Sequence, residues 1–594
     1  MMKRVAYIFI TSIIIGTILL NFSSCANTTA APTGGDKDTI PPVLLKVEPA
    51  QRKINFPITD NKVTLTFNEY TVVKNANDIL LSPPQKKRIK TKVKGKSIVV
   101  TFQDTLILDR TYTLSFGGSA LADNNEGNPF GKFVYTFSTG EIIDSMYFTG
   151  TVMDAKTLLP KKGVLVSVYT DFSDSALFKS LPYAATKSDD WGYFALTNIK
   201  PQKYRIYAVE DLNNNNIYDP ATEQVGFIGD YFQPTLVVND TVPELALYDM
   251  KDTIGCRSRR SDFNILMFKE SGATHKVKSV GRPSLRECYV KFQSSNAEVE
   301  SITFSGIPEK DLIKQFNPTK DSLSIWINDK GYLPDTLFAH IKYMKSDSTN
   351  KLILSDEDLK FAMEKKPFVA DQKKEAWDTS VVMTIISTPE NIDQDGYKFE
   401  FGFPIVEKNY DKLTYQSISP RGDTINEEYK IVPDLQDIKK FALKQKNKMQ
   451  EGYTYHLTVR KGCFIDINGL PNDSTYISTK LPSEDGLSTI TLLCKGVYKR
   501  YIVDLVSENR EKVFRSYTID EDILLEFPYL KEGKYSIRIT EDGNKNGIID
   551  IGSLLDHRQP EKVLLYETPS GETIIEVKPN IEINQTIDLL EMFR

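Results

Sequence analysis

Two short loops hold the side chains in this chain best suited to grip a ligand. Asp211, Asn213, Asn215 and Asp219 stand in the first, and Asp542, Asn544, Asn546 and Asp550 in the second. Oxygen atoms at alternate positions of a tight loop suit a hard cation such as Ca²⁺, which collects roughly 6–8 oxygen ligands. Gly547 takes the sixth place of its loop, where such a chain must turn sharply. The glutamate that would close a bidentate site at the twelfth place is missing. Thr222 and Ser553 stand there, Glu223 comes one place late, and Asp556 is farther on. A metal-free reading is equally open, in which the Asp and Asn side chains bond to nearby backbone N–H groups and hold a turn. Ca²⁺, if it binds, has a structural role, and no other cofactor is implied.

No other constellation has the spacing of a catalytic site. His275, His340, His456 and His557 are scattered, and no nucleophile elbow, H-E-x-x-H, P-loop or dinucleotide fingerprint occurs. Paired glycosidase acids leave no local motif, yet function must be argued from a site. The chain is therefore read as non-enzymatic, with no small-molecule substrate identified. A net charge of −5 over 594 residues gives no global field toward nucleic acid or anionic lipid. One basic run stands out, through Lys86, Lys87, Arg88, Lys90, Lys92, Lys94 and Lys96. Its alternate lysines share one strand face. They read first as an edge strand guarded against wrong pairing, and second as a contact for anionic lipid or lipopolysaccharide. Arg257, Arg259 and Arg260 read as a solvated linker.

Lys3 and Arg4 open an almost uncharged apolar stretch that ends at Phe22, Ser23, Ser24 and Cys25. This segment resembles a lipoprotein export signal, although Phe22 stands where a smaller residue is more usual. The resemblance implies cleavage after residue 24, a lipidated Cys25 and attachment to a membrane through that lipid. An uncleaved anchor and an ordinary cleaved signal are the other readings. Residues 25–39 are small, polar and breaker-rich, as a tether should be. Cys256, Cys288, Cys463 and Cys494 are either buried thiols or disulfides, with three pairings open to four cysteines.

Short alternating strands must position all of these groups. Val63–Phe67, Ser97–Phe102, Tyr112–Phe116 and Phe133–Phe137 alternate apolar and small polar residues between turn clusters. With the Pro41-Pro42 start and the closing Phe137-Ser138-Thr139-Gly140, residues 40–141 resemble a bacterial Ig-like domain. Residues 142–250, through Phe148-Thr149-Gly150, Val164–Tyr169 and Gly192-Tyr193-Phe194, resemble a transthyretin-like, carboxypeptidase-regulatory-like sandwich. Both patterns return. Thr111-Tyr112 recurs as Thr454-Tyr455, each followed eleven residues after the tyrosine by an aspartate, Asp123 or Asp466. Leu196, Ile199, Lys203, Tyr204, Ile206, Glu210 and the first loop align without a gap on Phe527, Leu530, Lys534, Tyr535, Ile537, Glu541 and the second loop. Such agreement marks an internal repeat.

The expected fold is all-β, a tandem of β-sandwiches with a few short helices. A signal peptide (1–24) and tether (25–39) lead to an Ig-like domain (40–141) and a transthyretin-like domain (142–250). A sandwich of unassigned family (262–375), a second Ig-like domain (380–484) and a second transthyretin-like domain (485–594) follow. Helices are expected from Asp434 to about Gln450, with Leu435, Ile438, Ala442 and Met449 on one face, and from Ser355 with Leu359 and Met363 inward. The domain order resembles outer-membrane lipoproteins of Bacteroidota. That resemblance implies a scaffold at the cell surface with an outer-membrane protein as partner, in the manner of an accessory subunit of an assembly or export machine. The other reading is a carbohydrate-binding or polysaccharide-processing surface lipoprotein. Trp191, Trp326 and Trp377 lie in different modules, which weighs against a shared stacking platform.

Overall fold

Alternation of apolar and polar side chains builds sheets throughout the described residues. A computed structural model describes residues 38–220, 222–237, 261–270, 274–347, 352–363, 380–483, 485–554 and 556–594. Cys25, Cys256, Trp377, Arg257, Arg259 and Arg260 lie outside the described residues. Among the described residues the fold is all-β, and the α-helices are single turns at Ala176–Lys179, Ile392–Asp395 and Leu589–Met592. No helix among them is long and apolar enough to cross a membrane. Two compact units emerge. One comprises residues 38–79, 87–109 and 114–140, and the other residues 80–86, 110–113 and 141–594.

In the first unit, antiparallel strands lie in the order Leu44–Glu48, Lys62–Phe67, Ser97–Thr101, Lys90–Lys94. Val63, Leu65, Phe67, Ile98 and Val100 bury one face of that sheet. The Phe137 ring closes the core against Phe56 at 4.3 Å and Phe102 at 5.7 Å between centroids. Thr71–Val73 pairs with Leu121–Asp123 at one end.

Residues 383–481 repeat this plan inside the second unit. Met383–Ile386, Tyr397–Phe401, Lys440–Gln445 and Tyr429–Pro433 form a sheet in the same order, and Ile405–Lys408 pairs with Phe464–Asp466. The helix expected from Asp434 is thus a strand and its turn. Asp434 does cap, accepting from the N–H groups of Gln436 and Asp437, but it caps a turn. Phe441 and Leu443 point inward with a period of two, while Leu435 is 89% exposed. The second expected helix is also a strand. Leu352–Ala362 pairs along its whole length with Thr336–Ser346, burying Leu359 and Phe361. In both places an i, i+3/i+4 coincidence of apolar residues lost to ladder hydrogen bonding.

The other repeat is clearer still. Met146–Asp154 lies between Tyr193–Ile199 (antiparallel) and Phe263–Met267 (parallel), and Leu165–Tyr169 lies between Ala184–Lys187 and Arg205–Val209. In the C-terminal copy Ser488–Lys495 lies between Ile523–Leu530 and a parallel Glu582–Asp588. Tyr501–Ser507 lies between Val513–Ile519 and Gly533–Glu541. The first copy therefore ends with the strand to Met267, beyond the boundary expected at 250. The Tyr204 and Tyr535 hydroxyls even donate to equivalent carbonyls, Lys200 O at 3.0 Å and Lys531 O at 2.9 Å. Between the copies, residues 274–363 form a further two-sheet sandwich around Cys288, Ile325, Ile341 and Phe361.

Candidate functional site

Each Asp/Asn loop crosses from the end of one core strand (Arg205–Val209 or Gly533–Glu541) to a short strand beside it (Val225–Phe227 or Val563–Leu565). In the first loop the Asp211 carboxylate accepts from the N–H groups of Asn215 and Asn216, and Asn213 Oδ1 accepts from Asn215 N–H at 2.9 Å. In the second, Asp542 accepts from Asn546 and Gly547, and Asn544 Oδ1 accepts from Asn546 N–H at 3.0 Å. The same left-handed turn appears twice, at Asn214 and Asn216 and at Lys545 and Gly547. Gly547 takes that conformation without a Cβ clash, and asparagine is among the side chains that tolerate it best.

A glutamate completes each loop. Glu223 is fully buried and accepts from Leu212 N–H at 3.1 Å and Asp219 N–H at 2.9 Å. Glu561 does the same with Gly543 N–H at 2.9 Å and Asp550 N–H at 3.0 Å. Burial pushes both carboxyls above their ordinary range, more than the backbone donors pull them down. Sequence spacing marks Glu223 only as one place late for a cation ligand, and it passes over Glu561. Counted from the first loop aspartate, Glu223 comes twelve residues on and Glu561 nineteen, so the second copy carries seven more residues between its last loop aspartate and its glutamate. The signal that finds Glu561 is the strand that follows, which begins two residues after the glutamate in both copies.

The fit to a cation is mixed. Each ligand oxygen named above has a further lone pair beyond the bond it accepts. In the second loop, however, Asp550 Oδ2 accepts from the Asn544 and Asn546 amides, and Arg500 lies 3.4 Å from Asp542. Among the described residues no three His, Cys, Asp or Glu side chains converge to hold a metal.

The seven extra residues have a visible use. They carry Gly552, Ser553 and Leu554 onto the first copy. Leu554 enters a core cluster with Ala155, Tyr169, Tyr207 and Phe268. Ser553 Oγ and Leu554 N–H both donate to the buried Glu270, at 3.2 and 3.0 Å. A Cβ on Gly552 would stand 2.5 Å from the Phe268 ring, so only glycine permits this approach. Beside this loop, Arg538 is 1% exposed, pairs with the buried Asp504 at 2.6 Å and donates to Lys156 O at 3.2 Å. Arg510 donates to Thr157 O and Leu158 O, both at 3.1 Å. A wide, open hollow of about 600 Å³ at this seam is lined by Leu159, Ser507, Glu508, Asn509 and Lys534. The last copy also grips the preceding sandwich, where Arg515 donates to Glu390 O at 2.6 Å and to Asp393 at 2.8 and 3.1 Å.

Cys288, Cys463 and Cys494 are free, buried thiols in three different cores. Asp123 and Asp466 are both buried and tie their turns. Asp123 accepts from four successive N–H groups, Asn125 to Asn128, and Asp466 from those of Asn468 and Leu470. Trp326 is 2% exposed and offers no stacking face, whereas Trp191 is 41% exposed. His340 pairs across strands with Asp358 at 2.9 Å and Asp356 at 3.4 Å, a surface contact that sequence spacing did not single out.

A family model for the bacterial Ig-like domain matches residues 38–139. No curated protein matches the chain. Among solved structures, the N-terminal part of the bacterial S-layer protein SbsC is 14% identical, with 28% of this chain covered and a TM-score of 0.13. This chain spans 40% of that structure's length. The major pilin subunit BcpA of Bacillus cereus is 11% identical over 75% of this chain and 99% of its own, at a TM-score of 0.12. Scores of this size carry no shared arrangement of domains, and no role is taken from them.

Proposed function

We propose that this chain is a non-enzymatic outer-membrane lipoprotein, held by an acylated Cys25, whose β-sandwiches form a scaffold for a protein partner. The observation that carries this reading is the direct lock between the two repeat copies. Arg538, Arg510 and the Gly552–Leu554 loop join residues far apart in sequence, and within the second unit such contacts suit a platform better than beads on a string. The Ig-like match at residues 38–139 agrees with a surface module. The two locked copies are assigned to the carboxypeptidase-regulatory-like sandwiches, which in that family are non-catalytic. The partner proposed is an integral β-barrel of an outer-membrane assembly or export machine, and the cell surface is the side proposed.

Gentle detergent extraction followed by crosslinking is the test. Crosslinks from the sandwiches to one β-barrel protein are expected, and a lone monomer would sink the scaffold reading. Fatty-acid labelling should be lost in Cys25→Ser. The alternative, a carbohydrate-binding surface lipoprotein, draws on the exposed Trp191. Glycan-array binding abolished by Trp191→Ala would favour it. Structural Ca²⁺ at Asp211, Asn213, Asn215 and Asp219, and at Asp542, Asn544, Asn546 and Asp550, belongs to the proposal too. It is supported by the alternation of oxygen side chains, and an unfolding temperature indifferent to a chelator would remove it.

A further inference from the structure

We propose that the outer face of the four-stranded sheet in the first unit docks on an anionic lipid surface. This proposal rests on the Cys25 anchor argued above. The register assigns the face. Lys90 lies opposite Thr101, which lies opposite Lys62. Lys92, Val99, Thr64 and Glu48 form the next row, and Lys94, Ser97, Thr66 and Lys46 the third. Residues alternating with these, Val63, Leu65, Ile98 and Val100, are buried in the core, so all five lysines project from the opposite side. All five are exposed. Among the described residues one of them is ion-paired, Lys46 with Glu48 at 2.5 Å. The face therefore presents five lysines against one glutamate.

Guarding an edge explains part of this pattern. Lys90–Lys94 is indeed the last strand of its sheet, where lysine discourages pairing with another chain. Lys62 stands on an inner strand, paired on both sides, and Lys46 on the strand at the far edge. Neither protects the Lys90–Lys94 edge, yet both extend its charge across three rows. The surface is polar and cationic, which complements lipid phosphates. The unit that carries it begins a short tether away from Cys25. Twelve residues separate Cys25 from Asp38, a span of at most about 43 Å when extended and near 20 Å as a flexible coil. A basic patch adds attraction to anionic headgroups to whatever the lipid itself supplies. Each lysine at an anionic surface is worth about five-fold in partitioning, so the four unpaired ones supply several hundred-fold.

The test uses the full acylated chain reconstituted into vesicles of phosphatidylcholine, with or without phosphatidylglycerol. Amine-reactive labelling of Lys62, Lys90, Lys92 and Lys94 is read by mass spectrometry. Labelling about ten-fold lower on the anionic vesicles is expected, with recovery near 1 M salt, where screening acts over about 3 Å. Lys330, 87% exposed elsewhere, should label equally on both. The Lys90→Glu/Lys92→Glu/Lys94→Glu variant, altered at exposed positions, should lose the protection of Lys62. Equal labelling on both vesicles overturns the docking, as does protection produced by inorganic phosphate alone. A chain that floats with neither vesicle defeats the anchor and the docking together. One that floats with both yet labels equally defeats the docking alone.

Discussion

At the scale of single residues, buried charge decides most. Arg538 and Asp504 are both nearly inaccessible, so removing one strands the other. Arg538→Ala should cost about 3–5 kcal/mol in denaturant unfolding, and Arg538→Met with Asp504→Leu should recover much of it. The three described thiols should be inert. Burial pushes Cys288 and Cys494 up to about 12 and Cys463 to about 11, so little thiolate forms at neutral pH. A thiol reagent should reach them after denaturation and not before. The sequence left bridges and buried thiols as equal options, because spacing along the chain says nothing about which core receives each cysteine. The paired glutamates give a pH signature. Glu223 and Glu561 hold their protons to higher pH in the folded state, so their contribution is complete below the unfolded value near 4.5 and is lost as pH rises through the folded value. Against the Glu223→Gln/Glu561→Gln variant, the wild-type chain should lose relative stability across that window in thermal melts.

At the scale of elements, the strands were legible and two helices were not. Alternating runs such as Val63–Phe67 lie in the strands observed, since a period of two and β-branched residues leave little choice. The residues from Asp434 misled because a genuine capping aspartate stood before apolar residues at helical spacing. The copy itself held the answer, since Lys440–Gln445 occupies the place of Ser97–Thr101 in the first Ig-like plan. Phe263–Met267 was assigned to the wrong module because a parallel strand arrives from far along the chain, with no turn to announce it. Of the candidate loops, the aspartates and asparagines were legible; Glu223 showed only as one place late for a cation ligand, and Glu561 did not show, because seven extra residues moved it. Those residues give a sharp prediction. Gly552→Ala should drive a methyl into the Phe268 ring, and Leu554→Ala should cost about 2–3 kcal/mol by emptying its place in the shared core. Neither change alters the Asp/Asn loop itself, so both should leave any chelator-induced shift intact.

At the scale of the whole chain, duplication shaped the second unit. Its first and last sandwiches are copies of one another, and they touch although the chain visits two other sandwiches between them. Contacts between residues more than 350 positions apart, such as Arg510 with Thr157, have no sequence signature. The seam makes the unit a closed circuit, fastened like a clasp where the copies meet. A circuit can be cut once without falling open. A protease site placed between Ala362 and Met383 should yield two pieces that still elute as one particle, held by Arg538, Arg510 and Leu554. Cutting the Arg510→Ala/Arg538→Ala/Leu554→Ala form at the same site should weaken that association, with the Ile438–Gln315 bond among the contacts left across the cut. Separation of the pieces with the clasp intact would show that the seam is too weak to bear the load assigned to it. If it holds, a break in the middle of the chain leaves the C-terminal sandwich still joined to the N-terminal half.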